Sequence, residues 1–546
     1  MSHTLDDKPV FGHDEVPRTV DIENNAAAKA MDLERVTLTE EDNRRILRKT
    51  DLNLLPLLVW VYFLQIYDKT VFGYGNTFGL TKDLNLSGTQ YSLASSMTPI
   101  AVLAWQPFSS YVIVRFPARY LMTIFVLCWG LSEACMAAVT DYRGLYATRF
   151  LLGLFEAGCI PLFSMLTAQW YRRSEQPLRV CAWFVTNSLA TIVAALLSYG
   201  LGHITNPHFK PWQALYLISG VITVLTAPVV WFRLDSDIAT ARFWKDDHER
   251  EQAIERLRAN QTGTGSREFK WAQVAEVLYD PKSWLFGGLI CIPNIGAWQY
   301  ESCARNNVAD KTDTSPGAQI SNTFGPTLIK GLGFDTYTST LLNMPFGALQ
   351  GIAIVAGSYA AYKFKFKSPM LMIEVILGLV GTILLYLANK GATVQQGLAL
   401  AGYYLLAFLF GVSPIIYAWA IANTGGQTKK SVLLSFMNCL TATGQLTGPL
   451  LMASNQAPRY LSGLRSMMIA MGVMMVIVGL QVVAVYLLNK QRQRQRVAAG
   501  KPQHIHDTSM DKRFQALGTD EHDAAIGANA LKDLTDFRND EFVYVY

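Results

Sequence analysis

The sequence predicts an all-α membrane protein with twelve transmembrane helices in two six-helix bundles, and three observations support this fold class. Of the 546 residues, 51% are apolar and only 16% are charged, a balance typical of membrane proteins. Apolar segments long enough to cross a bilayer recur along the chain in two sets of six. The two sets have similar lengths and are separated by a charged stretch.

The chain divides into five parts. Residues 1–50 are a polar cytosolic tail without the apolar core of a signal peptide, so the first span is expected to direct insertion. The first bundle, 51–233, has spans predicted at 52–72, 91–114, 119–139, 145–170, 179–203 and 211–232. A cytosolic central loop, 234–282, follows. The second bundle, 283–490, has spans predicted at 284–300, 338–361, 369–388, 397–420, 431–453 and 465–489. Residues 491–546 are predicted to be a disordered cytosolic tail whose first basic residues anchor the last span near anionic headgroups.

The distribution of basic residues orients the chain in the membrane. Short loops on one side carry Arg115, Arg119, Arg172, Arg173, Arg179, Lys363, Lys365, Lys367, Lys429 and Lys430. Loops on the other side are poorer, with Lys82, Arg143, Lys210 and Lys390. Because basic loops stay in the cytosol, both termini are predicted to be cytosolic.

The segment from Arg149 to Trp170 combines a spanning length with two opposite charges. Arg149 and Glu156 are seven residues apart, which places them on one helix face, two turns from each other. A charge in hydrocarbon costs about 3 kcal/mol on insertion scales. This face is therefore expected to look into a bundle interior or a wet cavity. The alternative is an ion pair that only ties helices together.

Several function classes find no support in the sequence. The seven cysteines form no CxxC motif and no Cys/His cluster, so no metal site or disulfide framework is predicted. No P-loop, nucleophile elbow, HExxH motif or dinucleotide-binding glycine motif is present, so we expect neither an enzyme nor a cofactor. The net charge of +5 is small and dispersed, which argues against nucleic acid as a partner.

Five motifs point to a known family. They are YFLQIYDKTVFGYGNTFGLTKDLNLSGTQYS (62–92), RFLLGLFEAGCIPLFSMLTAQWYRRSEQPLR (149–179), FGPTLIKGLGF (324–334), TGQLTGPLL (443–451) and APRYLSG (457–463). From about residue 50 to 490 the chain resembles the fungal allantoate permease family of anion:cation symporters, within the major facilitator superfamily. The resemblance implies proton-coupled uptake of small, usually anionic solutes, such as ureides, vitamins, dipeptides or sulfonates, across the fungal plasma membrane.

The chain departs from that family in two places. Where relatives tend to have an acidic residue in the second helix, this chain has Gln106. Residues 297–319 form a polar interruption of the seventh span. We consider two explanations for it, an enlarged external loop after a shortened helix and a retained intron in the gene sequence.

Charged residues in the first bundle are the candidates for coupling. Asp68 and Lys69 are adjacent, so their side chains point about 100 degrees apart and cannot address one spot. We hypothesise that Lys69 or Arg149 receives an anionic group of the substrate and that Glu156 or Asp68 exchanges the proton. Alternatively, Asp68 and Lys69 lie at the outer helix end and stabilise a closed gate.

Neutral polar residues in the spans form a second set of candidates. A buried amide in lipid needs a partner, and it serves either as a substrate ligand or as a contact between helices. The candidate substrate-binding residues of this set are Gln106, Asn187, Asn294, Tyr417, Asn438 and Gln445. Two further carboxylates are assigned other roles: Glu133 a packing or helix contact, and Glu374 an interfacial position.

The predicted function is secondary transport by alternating access. Its expected partners are a small-molecule substrate, protons and the lipid bilayer, and the chain is expected to be a monomer. Proton-antiport export of a small metabolite is the first alternative. A nutrient sensor that binds its ligand without moving it is the second.

Overall fold

The structure is a computed structural model, and it describes residues 38–86, 90–201, 210–261, 267–306, 336–390, 395–447, 461–498, 500–505, 507–511, 529 and 532–546. Every regular element in these ranges is an α-helix or a short 3-10 helix. The all-α class predicted from the sequence is therefore confirmed.

The described part of the first half contains nine α-helices. They are α1 (Glu40–Thr77), α2 (Leu80–Asp83), α3 (Gln90–Arg115), α4 (Ala118–Met136), α5 (Tyr142–Glu156), α6 (Cys159–Trp170), α7 (Gln176–Phe184), α8 (Thr186–Leu201) and α9 (Pro211–Arg233). The predicted fourth span is divided between α5 and α6, and the predicted fifth span between α7 and α8.

The linker and the second half contain the remaining helices. The linker helices are α10 (Asp247–Leu257), followed by a 3-10 turn (Arg258–Asn260), and α11 (Trp271–Tyr279). The second half comprises α12 (Pro281–Asn306), α13 (Thr336–Phe364), α14 (Ser368–Lys390), α15 (Gln396–Leu405), a 3-10 turn (Leu406–Phe408), α16 (Leu409–Ala422), α17 (Gln427–Thr447) and α18 (Leu461–Ala498). A last 3-10 turn is formed by Thr508–Met510.

Each of the twelve predicted spans overlaps a helix. Within the described part of the chain, nine helical segments are long and apolar enough to cross a bilayer. The other three predicted spans correspond to α4, α12 and α17. The predicted seventh span, 284–300, lies within α12, and this helix continues to Asn306. Residues 307–319 of the polar interruption lie outside the described residues, so neither explanation of it is tested.

The first helix begins before the predicted first span, 52–72, and its start is capped. Thr39 and Asp42 cap its start reciprocally: the Asp42 N–H donates to Thr39 Oγ1 (3.2 Å), and the Thr39 N–H donates to Asp42 Oδ2 (3.3 Å). About two turns after Asp42, Lys49 Nζ pairs with Glu249 of α10 at 2.5 Å. The first linker helix is thereby held to the first half.

The central loop contains two helices, α10 and α11. Arg256, at the end of α10, donates to Asn43 of α1 (2.7 Å) and pairs with Glu175 just before α7. The second linker helix, α11, packs against α17 instead. Each half therefore carries one helix of the linker on its cytosolic side.

The most extensive contacts between the halves are those of α3 with α17 and of α8 with α13. At the second pair Ser188 Oγ donates to the Gly347 carbonyl at 2.6 Å. A Cβ atom at Gly351 would lie 2.7 Å from Ser188 Oγ, so the absence of a side chain there allows this approach. Small residues in spans serve this purpose in membrane proteins.

The prediction of a disordered tail after residue 490 is wrong for two segments. The last helix, α18, continues to Ala498. Residues 532–546 pack against the cytosolic ends of the helices, with Asp536, Phe542 and Tyr544 almost fully buried. The physical reason is the apolar ending FVYVY, which has enough hydrophobic surface to bury. The basic residue Arg492 donates to the Phe537 carbonyl of this segment (2.6 Å).

Candidate functional site

An ion pair between two spans of the first half forms the centre of the candidate site. Lys69 Nζ of α1 contacts a carboxylate oxygen of Glu156, the last residue of α5. The Glu156 side chain is 3% exposed, whereas that of Lys69 is 28% exposed. The acid is thus enclosed by protein, whereas the lysine is partly exposed. The prediction that Arg149 and Glu156 share a buried face is confirmed, since both are buried.

The fourth span breaks immediately after Glu156. Helix α5 ends at Glu156 and α6 begins at Cys159. In a continuous helix the Ala157 carbonyl would accept from the N–H of the residue four positions later, which is Pro161. Proline has no N–H, so this carbonyl must find another donor.

Both halves supply a donor to the freed carbonyl. Gln106 Nε2 of α3 donates to the Ala157 carbonyl at 2.9 Å, and Asn438 Nδ2 of α17 donates to the same oxygen at 2.9 Å. Two predicted binding residues therefore meet beside Glu156, one from each half. The amide at position 106 also fits this role chemically, because an ionised carboxylate there has no hydrogen to donate.

Arg149 lies on α5, about two turns before Glu156, and is also buried. Its guanidinium carbon is 3.9 Å from the ring centroid of Phe72, a cation–π contact. Its backbone carbonyl accepts from Thr98 Oγ1 of α3 at 3.4 Å. No part of the Arg149 side chain is exposed. The Arg149 side chain is therefore enclosed by protein, whereas the Lys69 side chain is partly exposed.

Asp68 is directed away from Lys69, as the sequence spacing requires. Its Oδ2 accepts from Trp129 Nε1 of α4 at 2.8 Å and from Thr223 Oγ1 of α9 at 3.5 Å. A second buried acid lies between the same helices, where Glu133 accepts from Ser219 Oγ at 3.3 Å. Asp68 is thereby part of an acidic cluster that joins α1, α4 and α9.

Close packing of α4 on α9 encloses that cluster. A Cβ atom at Gly130 would lie 2.8 Å from the backbone of Val224, and one at Gly220 would lie 2.4 Å from the backbone of Ala134. The sequence predicted a packing or helix contact for Glu133, and its bond to Ser219 of α9 is a contact between helices. The structure gives it a polar partner and a charged neighbourhood that includes Arg149.

The remaining predicted binding residues lie in two separate groups. Gln445 Nε2 of α17 donates to Asn294 Oδ1 of α12 at 3.5 Å, and Asn294 Nδ2 donates to the Ile290 carbonyl (2.7 Å). Asn187 Nδ2 donates to the Phe184 carbonyl (2.9 Å), and the Phe184 ring lies 5.8 Å from the ring of Tyr417 across the interface between the halves. These four residues are near the interface but do not contact the Lys69 pair.

One carboxylate is not where the sequence suggested. Glu374 was predicted to be interfacial, but it is 4% exposed and lies in the interior of the second half. It is packed against Gly357 of α13 and Gly411 of α16. Neither of its carboxylate oxygens has a hydrogen-bond partner among the described residues. The sequence shows only that Glu374 is near the start of α14. It does not show that α13 and α16 cover this side chain.

Comparisons with known proteins agree with this arrangement. The family profile described as Major Facilitator Superfamily matches residues 58–449. An uncharacterised transporter of Schizosaccharomyces pombe is 30% identical over 94% of this chain and 93% of its own length. The allantoate permease of Saccharomyces cerevisiae is 26% identical over 95% of this chain and 90% of its own. This relative bears out the resemblance found in the motifs.

Two solved transporter structures are similar to this chain in fold. A proton:xylose symporter superposes with a TM-score of 0.60 at 14% identity, over 79% of this chain and 94% of its own. A bacterial homologue of the human lysosomal transporter Spinster superposes with a TM-score of 0.51 at 13% identity, over 79% of this chain and 96% of its own. Both likenesses support the predicted fold class.

Proposed function

The chain belongs to the major facilitator superfamily of membrane transporters, and from that premise we propose that it imports a small organic anion together with a proton by alternating access. Two relatives are named for carboxylic acids, an allantoate permease and a high-affinity nicotinic acid transporter of Saccharomyces cerevisiae. We place the chain in the plasma membrane with both termini in the cytosol, in accordance with its basic loops.

The observation that carries the proposal is the ion pair between Lys69 and Glu156. One lysine on the open side of a buried carboxylate cannot neutralise two anions equally well. When a substrate anion binds Lys69, Glu156 loses its partner in an enclosed place, and an unpaired buried carboxylate favours its protonated form. Substrate and proton therefore load together. Proton binding to Glu156 stabilises the substrate on Lys69 by the same free energy.

The helix break after Glu156 links the loading of substrate and proton to contacts with both halves. Glu156 is the residue before Ala157, whose carbonyl binds Gln106 of the first half and Asn438 of the second. A movement of Glu156 away from Lys69 shifts the acceptor that both amides share. Loading is thereby linked to a hydrogen bond across the interface that must change when the halves rock.

The other candidate residues receive supporting roles in this proposal. Arg149 is fully enclosed and stacked on Phe72, so we assign it the electrostatic balance of the buried acids, and Lys69 the substrate. Asn294, Gln445, Asn187 and Tyr417 lie close to the interface and are proposed to contact the uncharged part of the substrate.

The test is uptake by cells that express the protein, screened on organic anions, ureides, vitamins and sulfonates at acidic and neutral external pH. We expect concentrative uptake of an anion that is faster at acidic pH.

The variant Glu156→Gln should lose accumulation but retain exchange, because Gln cannot release a proton. Glu255→Gln, on the cytosolic helix α10, is the matched control and should transport normally. Full accumulation by Glu156→Gln would refute the assignment, and proton-driven efflux in place of uptake would favour the exporter.

A further inference from the structure

We propose that residues 532–546 form a cytosolic strap that holds the two halves together, and that this strap must release the first half before the transporter opens to the cytosol. We call this segment the tail strap. The inference rests on the alternating-access part of the proposed function, and it is independent of the substrate and of the proton site.

The tail strap is bound to the second half by a buried ion-pair network. Asp536 Oδ2 lies 2.7 Å from Lys282 Nζ of α12, and Asp536 Oδ1 lies 2.9 Å from Lys429 Nζ of α17. Asp280 contacts both lysines, at 3.5 and 3.4 Å. All four side chains are 0 or 1% exposed. The carboxylate of Asp536 thus connects the cytosolic ends of two helices.

Backbone bonds fix the end of the strap to α16. The Val545 N–H donates to Asn423 Oδ1 (2.7 Å), and Asn423 Nδ2 donates back to the Val545 carbonyl (2.9 Å). Trp419 Nε1 donates to the same carbonyl at 2.8 Å. Tyr544 OH donates to Asp536 Oδ2 at 2.9 Å and so links the two anchoring points.

The strap reaches the first half at two places. Arg173, between α6 and α7, donates to the Val543 carbonyl at 2.8 Å, and its guanidinium lies 4.8 Å from the centroid of the Phe542 ring. Asn539 Nδ2 donates to Gln261 Oε1 at 3.2 Å, at the end of the linker section held by the first half. These contacts are fewer than those to the second half, so the strap should part from the first half first.

In this structure the cytosolic ends of the halves also contact each other directly. Ser431 Oγ of α17 donates to the Ser110 carbonyl of α3 at 3.3 Å. Arg173 donates to the Ala422 carbonyl at the end of α16. Opening to the cytosol separates these pairs, and it must break the bond between Arg173 and Val543 as well. The tail strap therefore adds stability to the closed cytosolic side.

The charges of the strap match the surface that it covers. Residues 532–546 contain four acidic and two basic residues, and they lie over Lys282, Lys429, Lys430 and Arg173. Burial raises the pKa of Asp536, but Lys282 and Lys429 lower it more, so its pKa lies below the ordinary value. Asp536 stays ionised at cytosolic pH, and the strap is not released by mild acidification.

The experiment measures closure of the cytosolic side without substrate. Ser110→Cys and Ser431→Cys are combined in the full chain, with a protease site between α10 and α11, and treated with a short bifunctional maleimide. A cross-link keeps the two fragments together on a denaturing gel after proteolysis. Each single cysteine variant measures the background from the seven natural cysteines. We expect Asp536→Asn to lower the cross-linking rate about fivefold, because hydrogen bonds to charged groups contribute most of the anchoring.

The matched control is Asp540→Asn in the same strap. Asp540 pairs with Lys501 at 2.6 Å, a partner outside both halves, and both side chains are about one-quarter exposed. This variant should cross-link like the parent. If Asp536→Asn is not produced, Tyr544→Phe removes one bond to Asp536 and keeps the ring, and it should lower the rate in the same direction. An unchanged rate in the variant that folds would overturn the proposal. Because the assay needs no proton gradient, failure of the Glu156 assignment leaves this result unaffected.

Discussion

The two halves of the transporter place different chemistry inside the membrane. The interior of the first half holds five charged side chains, Asp68, Lys69, Glu133, Arg149 and Glu156. The described interior of the second half instead presents amides, namely Asn294, Gln350, Asn438, Gln445 and Gln481, with Glu374 as a buried carboxylate. Charges in hydrocarbon are costly and need compensation, whereas amides need only hydrogen-bond partners.

This difference suggests a division of work between the halves. The first half has the groups that can bind an anion and a proton. The second half contributes a neutral donor, Asn438, to the carbonyl beside Glu156. If the comparison is right, substitutions of charged residues in the first half should have large and specific effects, and removal of the charge in the second half should have a small one.

The largest effect is expected for Arg149→Met. Met has a similar length but no charge, so Glu133 and the other buried acids lose a nearby cation. Leaving buried charges uncompensated costs about 3–5 kcal/mol. We expect a large fall in the amount of folded protein and in its melting temperature, measured by fluorescence-detected size-exclusion chromatography after heating.

Arg143→Met provides the control for that experiment. Arg143 lies on the same helix, α5, but is exposed near its outer end. It should leave the melting temperature nearly unchanged. Equal melting temperatures for both variants would mean that the first half does not depend on its internal cation.

An intermediate effect is expected for Asp68→Asn. Asn retains an oxygen that can accept from Trp129 Nε1 but alters the hydrogen bonding of the cluster, which we expect to cost about 1 kcal/mol of stability. Because Asp68 belongs to the cluster between α1, α4 and α9, uptake should persist with its dependence on external pH intact. Loss of that pH dependence in Asp68→Asn, with Glu156→Gln still active, would move proton exchange from Glu156 to Asp68.

Much of the fold was predictable because hydrophobic length and basic loops are local properties of the sequence. Periodicity also placed Arg149 and Glu156 on one buried face. The partner of Glu156 was not predictable, since the approach of Lys69 depends on how α1 packs against α5. The sequence signal for the helix break is Pro161, four residues after Ala157, which removes the N–H that would otherwise occupy that carbonyl.

The tail shows the opposite error. Polar composition predicted disorder after residue 490, yet the last residues are buried. Average composition concealed a short apolar ending, FVYVY, at residues 542–546. The lysines that receive it, Lys282 and Lys429, are 147 residues apart in sequence and are brought together only by packing of α12 on α17.

The smallest effect is expected for Glu374→Gln, and this variant tests the comparison from the side of the second half. A membrane-buried charge without a partner is costly, and Glu374 has no hydrogen-bond partner among the described residues. The amide of Gln fills the same space between Gly357 and Gly411, so uptake and its pH dependence should match the parent in the same transport assay. Glu374→Leu, which changes shape as well, separates a packing defect from a charge effect. If Glu374→Gln abolished proton-driven accumulation at normal protein abundance, the second half would carry a proton of its own, and the division between a charged half and a neutral half would no longer describe this transporter.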